Sequence, residues 1–233
     1  MITGRIFKNK FAADLNSIYY GGDSNIGIYF DTIRLHQFLK SLHTKIQQDN
    51  IAILDDIKGE SPEIQSSMLN QIDIDNTLYY FPDLLLKSVL LISYSILETK
   101  LKEICCLIGT EYGLKDYVKY RHKATGKCDL MAPKEYLSVV VKADISGVDK
   151  LWLDLFNYKE IRKAILHKGS EISQEVIPEV FKSDPNISFA NGVVTIMDPK
   201  FIEVYIDKID NLFSNLVKSF NDQFNLVEII STK

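Results

Sequence analysis

The chain has 233 residues, of which 46% are hydrophobic, 25% charged and 11% aromatic. This is the balance of a globular protein, and it excludes disordered, collagen-like and coiled-coil classes. Its 27 Lys and Arg against 31 Asp and Glu leave a net charge of -4, which excludes a uniformly basic nucleic-acid coat and leaves room only for a local basic patch.

Residues 1–30 show no sustained period and place Gly21, Gly22 and Gly27 between aromatic pairs. They read as an irregular lead-in with a short strand at 26–30. From Asp31, a plausible N-cap, apolar residues such as Leu35, Leu39, Leu42 and Ile46 keep helical spacing as far as Gly59. Ser61-Pro62-Glu63 reads as a cap followed by Pro at the first helical position, opening a short second helix. A third helix is expected from about Pro82 to Ile108, apolar on more than one face and stopped by Gly109. Residues 110–148 form a loop-rich insertion, in which the stretch from Lys115 to Lys142 holds seven basic residues against Asp116, Asp129 and Glu135. A fourth helix begins near Asp149 with Leu151, Trp152, Leu155, Phe156, Ile161, Ile165 and Leu166 on its buried side, and ends at Gly169. Asn191-Gly192 between the apolar runs of 187–197 predicts a type I′ β-hairpin. Asp198-Pro199 then opens a last helix with a continuous apolar stripe from Ile202 to Phe224. The expected fold is therefore mainly all-α: an antiparallel bundle of about five helices in a single domain over 31–225, a small β-hairpin before the last helix, and a tail at 226–233.

Cys105, Cys106 and Cys128 are odd in number, and two are adjacent, a pattern that suits neither a disulfide framework nor a zinc site. A reducing, cytoplasmic setting and no metal or other cofactor are expected. The most apolar segment, 84–97, is interrupted by Lys87, Ser88, Ser93 and Ser95. It falls short of the ~20 apolar residues of a membrane span, so no membrane partner is expected.

Walker, GxGxxG, HExxH, GxSxG and kinase signatures are missing from the sequence. What remains is Arg162 and His167 in IRKAILHKG at 161–169. A guanidinium can hold a phosphate bidentately while an imidazole moves the proton of a 2′-hydroxyl or of a leaving oxygen, the requirements of RNA cleavage. Five residues rotate by about 500° on a regular helix, so the two side chains point roughly 140° apart. They converge if the last turn is distorted, if the arginine reaches around, or if two copies of the helix meet across a dimer axis. The competing reading is a histidine on the last helix carbonyls and an arginine paired with Glu160 or another acid.

YKEIRKAILHKG at 158–169 resembles the R-x4-H signature of the HEPN superfamily (higher eukaryotes and prokaryotes nucleotide-binding), and SYSILETKLKEI at 93–104 is similar to an earlier core helix of those proteins. The resemblance implies a metal-independent endoribonuclease acting on RNA, common in toxin–antitoxin and phage-defence systems. It also implies a homodimer, with an antitoxin or defence-system partner where one exists. Arg162 and His167 would be catalytic and the site would be composite across the dimer. Some such proteins lack nuclease activity and bind RNA, a nucleotide or a partner protein.

Glu98 and Lys163 are the candidate supporting residues. Glu98 either holds Arg162 or His167 in place or opens a solvated face with Lys100, Lys102 and Glu103. Lys119, Arg121, Lys123 and Lys127, interleaved with Tyr112, Tyr117 and Tyr120, are candidates for tracking an RNA backbone and stacking its bases, or else form a solvated loop. Trp152, Phe156 and Tyr158 are candidates for the dimer interface or for ordinary core.

Overall fold

A computed structural model of the chain describes residues 13–21, 27–69, 76–123 and 130–223. It has a mainly-α fold. Among the described residues nine α-helices are present: α1 (13–20), α2 (Ile28–Lys58), α3 (Pro62–Leu69), α4 (Phe81–Glu111), α5 (Tyr117–Lys123), α6 (Met131–Glu135), α7 (Asp149–His167), α8 (Glu179–Lys182) and α9 (Lys200–Gln223). A π-helical turn, Asn76–Tyr80, leads into α4, and the strands β1 (Ile187–Ser188) and β2 (Thr195–Ile196) pair antiparallel before α9.

The local signals explain most of the boundaries. The Ser61 hydroxyl accepts the Ile64 N–H at 3.4 Å and caps α3. Asp198 accepts the Lys200 N–H at 2.7 Å where α9 begins. Two readings of the N-terminal region are corrected: residues 13–20 are helical, and 28–30, expected as a strand, form the first turn of α2. Asp31 is thus inside that helix, where it donates its N–H to Gly27 O. The 110–148 segment holds α5, α6 and a following π-helical turn, Tyr136–Val140. Pro133 does not break α6, because it sits in the first helical turn, where an N–H would lack an intrahelical acceptor. Residues 226–233 and Lys127 lie outside the described residues.

The chain divides into two compact units, residues 1–33, 94–156 and 207–233 in one, and 34–93 and 157–206 in the other. In the first, Tyr94, Tyr136, Trp152, Phe213 and Phe220 are fully buried. The Trp152 Nε1–H donates to Leu130 O at 2.9 Å and the Tyr136 hydroxyl to Lys115 O at 2.6 Å, so the large polar-tipped side chains are buried with their donors satisfied. Tyr19 donates to Asp210 at 3.2 Å. In the second unit, Tyr158 packs its ring against Phe181, Phe201 and Tyr205 at centroid distances of 4.8, 5.2 and 4.3 Å. Trp152 and Tyr158 are therefore core, which removes them as interface candidates, and Phe156 is half-buried.

The Asn191-Gly192 turn forms as expected. Asn191 has φ 54° and ψ 25°, Gly192 has φ 73°, and the Val193 N–H donates to Ala190 O at 3.0 Å. The arms differ from a simple hairpin. Val193 bridges Glu171, Val194 N–H donates to Ser170 O and Ile172 N–H to Gly192 O. The segment following α7 thereby takes the place beside the turn, and β1 and β2 shrink to two residues each.

Candidate functional site

Arg162 and His167 both lie on α7, inside the second unit. Arg162 is half-buried, whereas Lys163 and His167 are exposed. The Lys168 N–H donates to Ala164 O at 3.1 Å, so α-helical geometry continues through His167 and the last turn is not distorted there. Of the three routes to convergence, this leaves a reaching arginine or a second copy, since the side chains leave the helix about 140° apart.

The helix stops by backbone conformation. Gly169 has φ +58° and Ser170 φ +73°, and the Ser170 N–H returns to Ala164 O at 2.9 Å. A Cβ at Gly169 would meet nothing within 4 Å, so glycine is used for its left-handed conformation and not for space. The next residues pair with 192–194, which anchors the end of the helix carrying His167.

A cleft of about 620 Å³ in the same unit is lined by Tyr79, Tyr80, Asp83, Lys87 and Ser88 on the α4 side and by Ile165, Gly169 and Ser170 at the end of α7. Neither Arg162 nor His167 is among its lining residues; on α7 they leave the helix about 60° and 160° from Ile165, which is. Asp83 organises the cleft: one carboxylate oxygen lies 2.6 Å from Lys87 Nζ and the other accepts the Ile196 N–H at 2.7 Å. Sequence reasoning missed this pair. The available signal was an Asp and a Lys four residues apart on an otherwise apolar helix, a spacing that places them side by side.

The remaining candidates are dispersed. Lys163 Nζ lies 3.7 Å from Glu160, which also lies 4.0 Å from Lys159. Glu98 is half-buried next to the buried Leu97 on α4 and belongs to the first unit. On the neighbouring turn Lys100 and Glu103 pair at 3.0 Å. Lys119 and Arg121 are exposed on α5, whose first turn is capped by Asp116 accepting the Lys119 N–H at 2.9 Å. Lys123 is the last residue of α5.

Base stacking on the interleaved tyrosines needs correction. Tyr117 is buried with its ring 5.1 Å from that of Tyr136, and Tyr120 lies 5.4 Å from the same ring with Lys115 Nζ over its own. Both rings serve the packing of the unit because α5 folds onto the 136–140 turn. Burial pushes the Tyr136 phenol up to about 12 and raises Tyr117 further.

Among the described residues no group of three or more His, Cys, Asp or Glu is placed to hold a metal ion. Cys105 is buried and free, and burial raises its thiol well above the ordinary range. One helical stretch, Thr77–Glu111, is long and apolar enough to cross a membrane by length and composition. That differs from the sequence expectation because the apolar character extends on both sides of 84–97; a core helix of a soluble protein has the same composition. In comparisons with known proteins, no family model, no curated protein and no solved structure matches the chain.

Proposed function

We propose that the protein is a cytoplasmic, metal-independent endoribonuclease of HEPN type, acting as a homodimer in a toxin or phage-defence role. The observation that carries the reading is the R-x4-H pair at the C-terminal end of α7. Its histidine is exposed in the final turn, its arginine is half-buried on the same helix, and a left-handed glycine closes the helix. In this reading the Arg162 guanidinium neutralises the non-bridging oxygens of the scissile phosphate as negative charge builds there. The 2′-oxygen attacks phosphorus and the 5′-oxygen leaves. His167 takes the 2′-hydroxyl proton or returns one to the leaving oxygen, and the product is a 2′,3′-cyclic phosphate with no net change in protons. In this reading the exposed Lys163, Lys119 and Arg121 contact the RNA backbone.

The roughly 140° separation along an undistorted helix favours a second reading as well, a catalytically silent module that binds RNA, a nucleotide or a partner protein. One experiment separates the two. The purified protein is incubated with labelled RNA in EDTA beside folded Arg162→Ala and His167→Ala variants. The nuclease reading expects cleavage that survives chelation and falls about 10²–10⁴-fold in each variant. Equal cleavage by wild type and variants, or activity that requires a divalent ion, overturns it. RNA binding without cleavage supports the silent module.

A further inference from the structure

The cleft of the second unit, between the start of α4 and the end of α7, holds a buried cation with donors to spare. Lys87 is 8% exposed, its ammonium lies 2.6 Å from Asp83, and both residues line the cleft. An ammonium carries three donors, and among the described residues Asp83 is its only partner. Two N–H groups of a nearly buried cation are therefore left for whatever enters, at a place where an unmet donor is costly. Asp83 has less to offer, because one oxygen is on Lys87 and the other accepts the Ile196 N–H.

The walls narrow the class of ligand. Leu84, Leu91, Ile165 and Val193 are aliphatic, and Tyr79 and Tyr80, just ahead of α4, stand 66% and 57% exposed. Tyr80 leans on the Phe81 ring at 5.9 Å, which leaves Tyr79 as the open platform. A volume of about 620 Å³ accommodates one small ring system with its substituent, and an apolar slot with an aromatic face takes a flat ring by stacking. A free anion is disfavoured at the floor, since it would face the carboxylate that already neutralises Lys87. A sugar fits poorly, because hydroxyls around its ring would meet the aliphatic wall unpaired. The floor asks instead for two neutral acceptors side by side. Guanine has them in O6 and N7, the pair that a lysine reads; adenine sets an amino group beside N7, cytosine presents an amino group, and a uracil-type edge has a single oxygen.

We propose that this cleft is a guanine-binding site, in which the Tyr79 ring carries the base and the two open donors of Lys87 hold O6 and N7. Asp83 is a positioning residue. Tied to the Ile196 N–H, it fixes the ammonium and keeps the floor neutral, so that a base is selected over a phosphate. The site is separate from Arg162 and His167, neither of which lines it. The guanine comes from a free nucleotide or from single-stranded RNA; the second source rests on the reading given above, and recognition of the ring does not.

The test is calorimetric titration of the full chain with GMP, AMP, CMP and UMP, beside anisotropy titrations with labelled pentauridylates carrying a central G or a central A. The pentamers are 2′-O-methylated, so that no 2′-hydroxyl is present to attack and binding is read apart from cleavage. GMP is expected to bind about 5–150-fold more tightly than AMP, the discrimination of one bidentate base contact. Tyr79→Ala, at an exposed position, should weaken GMP and AMP alike by about 5–150-fold and leave their ratio unchanged. Asp83→Asn/Lys87→Met, with wild-type circular dichroism, should bring the ratio close to one. A guanine preference in the pentamers makes RNA the source, and a preference for GMP with both pentamers bound equally makes it a free nucleotide. No guanine preference in either series overturns the proposal, as does a preference that survives Asp83→Asn/Lys87→Met, which would place the contact elsewhere. The nuclease reading fails separately: a wild type that cuts no RNA and still prefers guanine keeps this site, whereas one that cuts RNA without any guanine preference loses it.

Discussion

Replacing Asp83 by alanine should be among the most damaging single changes in the second unit. Its carboxylate neutralises Lys87 at 2.6 Å and accepts the Ile196 N–H at 2.7 Å, and the two side chains keep only 14% and 10% of their exposure. Removing one partner of a buried pair strands the other charge and costs about 3–5 kcal/mol. Because both groups retain slight solvent access, the lower end, about 3 kcal/mol, is the working figure. At ~2–4 °C per kcal/mol for a chain of this size, the melting temperature should fall by roughly 6–12 °C. Urea titrations followed by far-ultraviolet circular dichroism give the free-energy difference directly. The double variant Asp83→Asn/Lys87→Met keeps an acceptor for Ile196 and an apolar stem in place of the ammonium, so it should recover most of the loss. An Asp83→Ala protein within about 0.5 kcal/mol of wild type would refute the claim that the pair is buried and coupled.

Two further predictions concern the first unit. The Tyr19 and Tyr136 phenols are both pushed up to about 12 by burial. Their stabilisation is therefore fully present below the ordinary tyrosine value of ~10 and is lost as pH rises toward 12. Thermal melts should decline across that window, and less steeply in Tyr136→Phe. A Cβ on Gly109 would stand 2.6 Å from the Tyr136 hydroxyl, so Gly109→Ala must push that hydroxyl off Lys115 O and should cost about 1–3 kcal/mol in the same melts.

The long helices were legible in the sequence because each shows a period over many residues, and burial follows that period. The expected fourth and last helices appear at Asp149–His167 and Lys200–Gln223. The caps at Ser61 and Asp198 and the left-handed turn at Asn191-Gly192 were legible for the same reason, that the residue type answers a local backbone requirement. Short elements were not. Helices α5 and α6 have seven and five residues, too few to show a period, and they are held by contacts such as Tyr136 to Lys115 that no local pattern encodes. Tyr117 and Tyr120 look like a stacking surface in sequence and serve as packing in the fold. Of the candidate site, Arg162, His167 and the glycine stop could be read directly. The cleft could not, because Asp83 and Ile196 are brought together across 113 positions of sequence.

The central claim, an Arg162 and His167 site shared between two copies, is tested most directly by mixing Arg162→Ala and His167→Ala protomers and measuring RNA cleavage across the mixing ratio. If each site takes its arginine from one chain and its histidine from the other, every mixed dimer regains one intact site. Activity at equal mixing should then reach roughly a quarter of wild type, with each variant alone near background. A flat response at every ratio, with dimers present, would contradict the shared site.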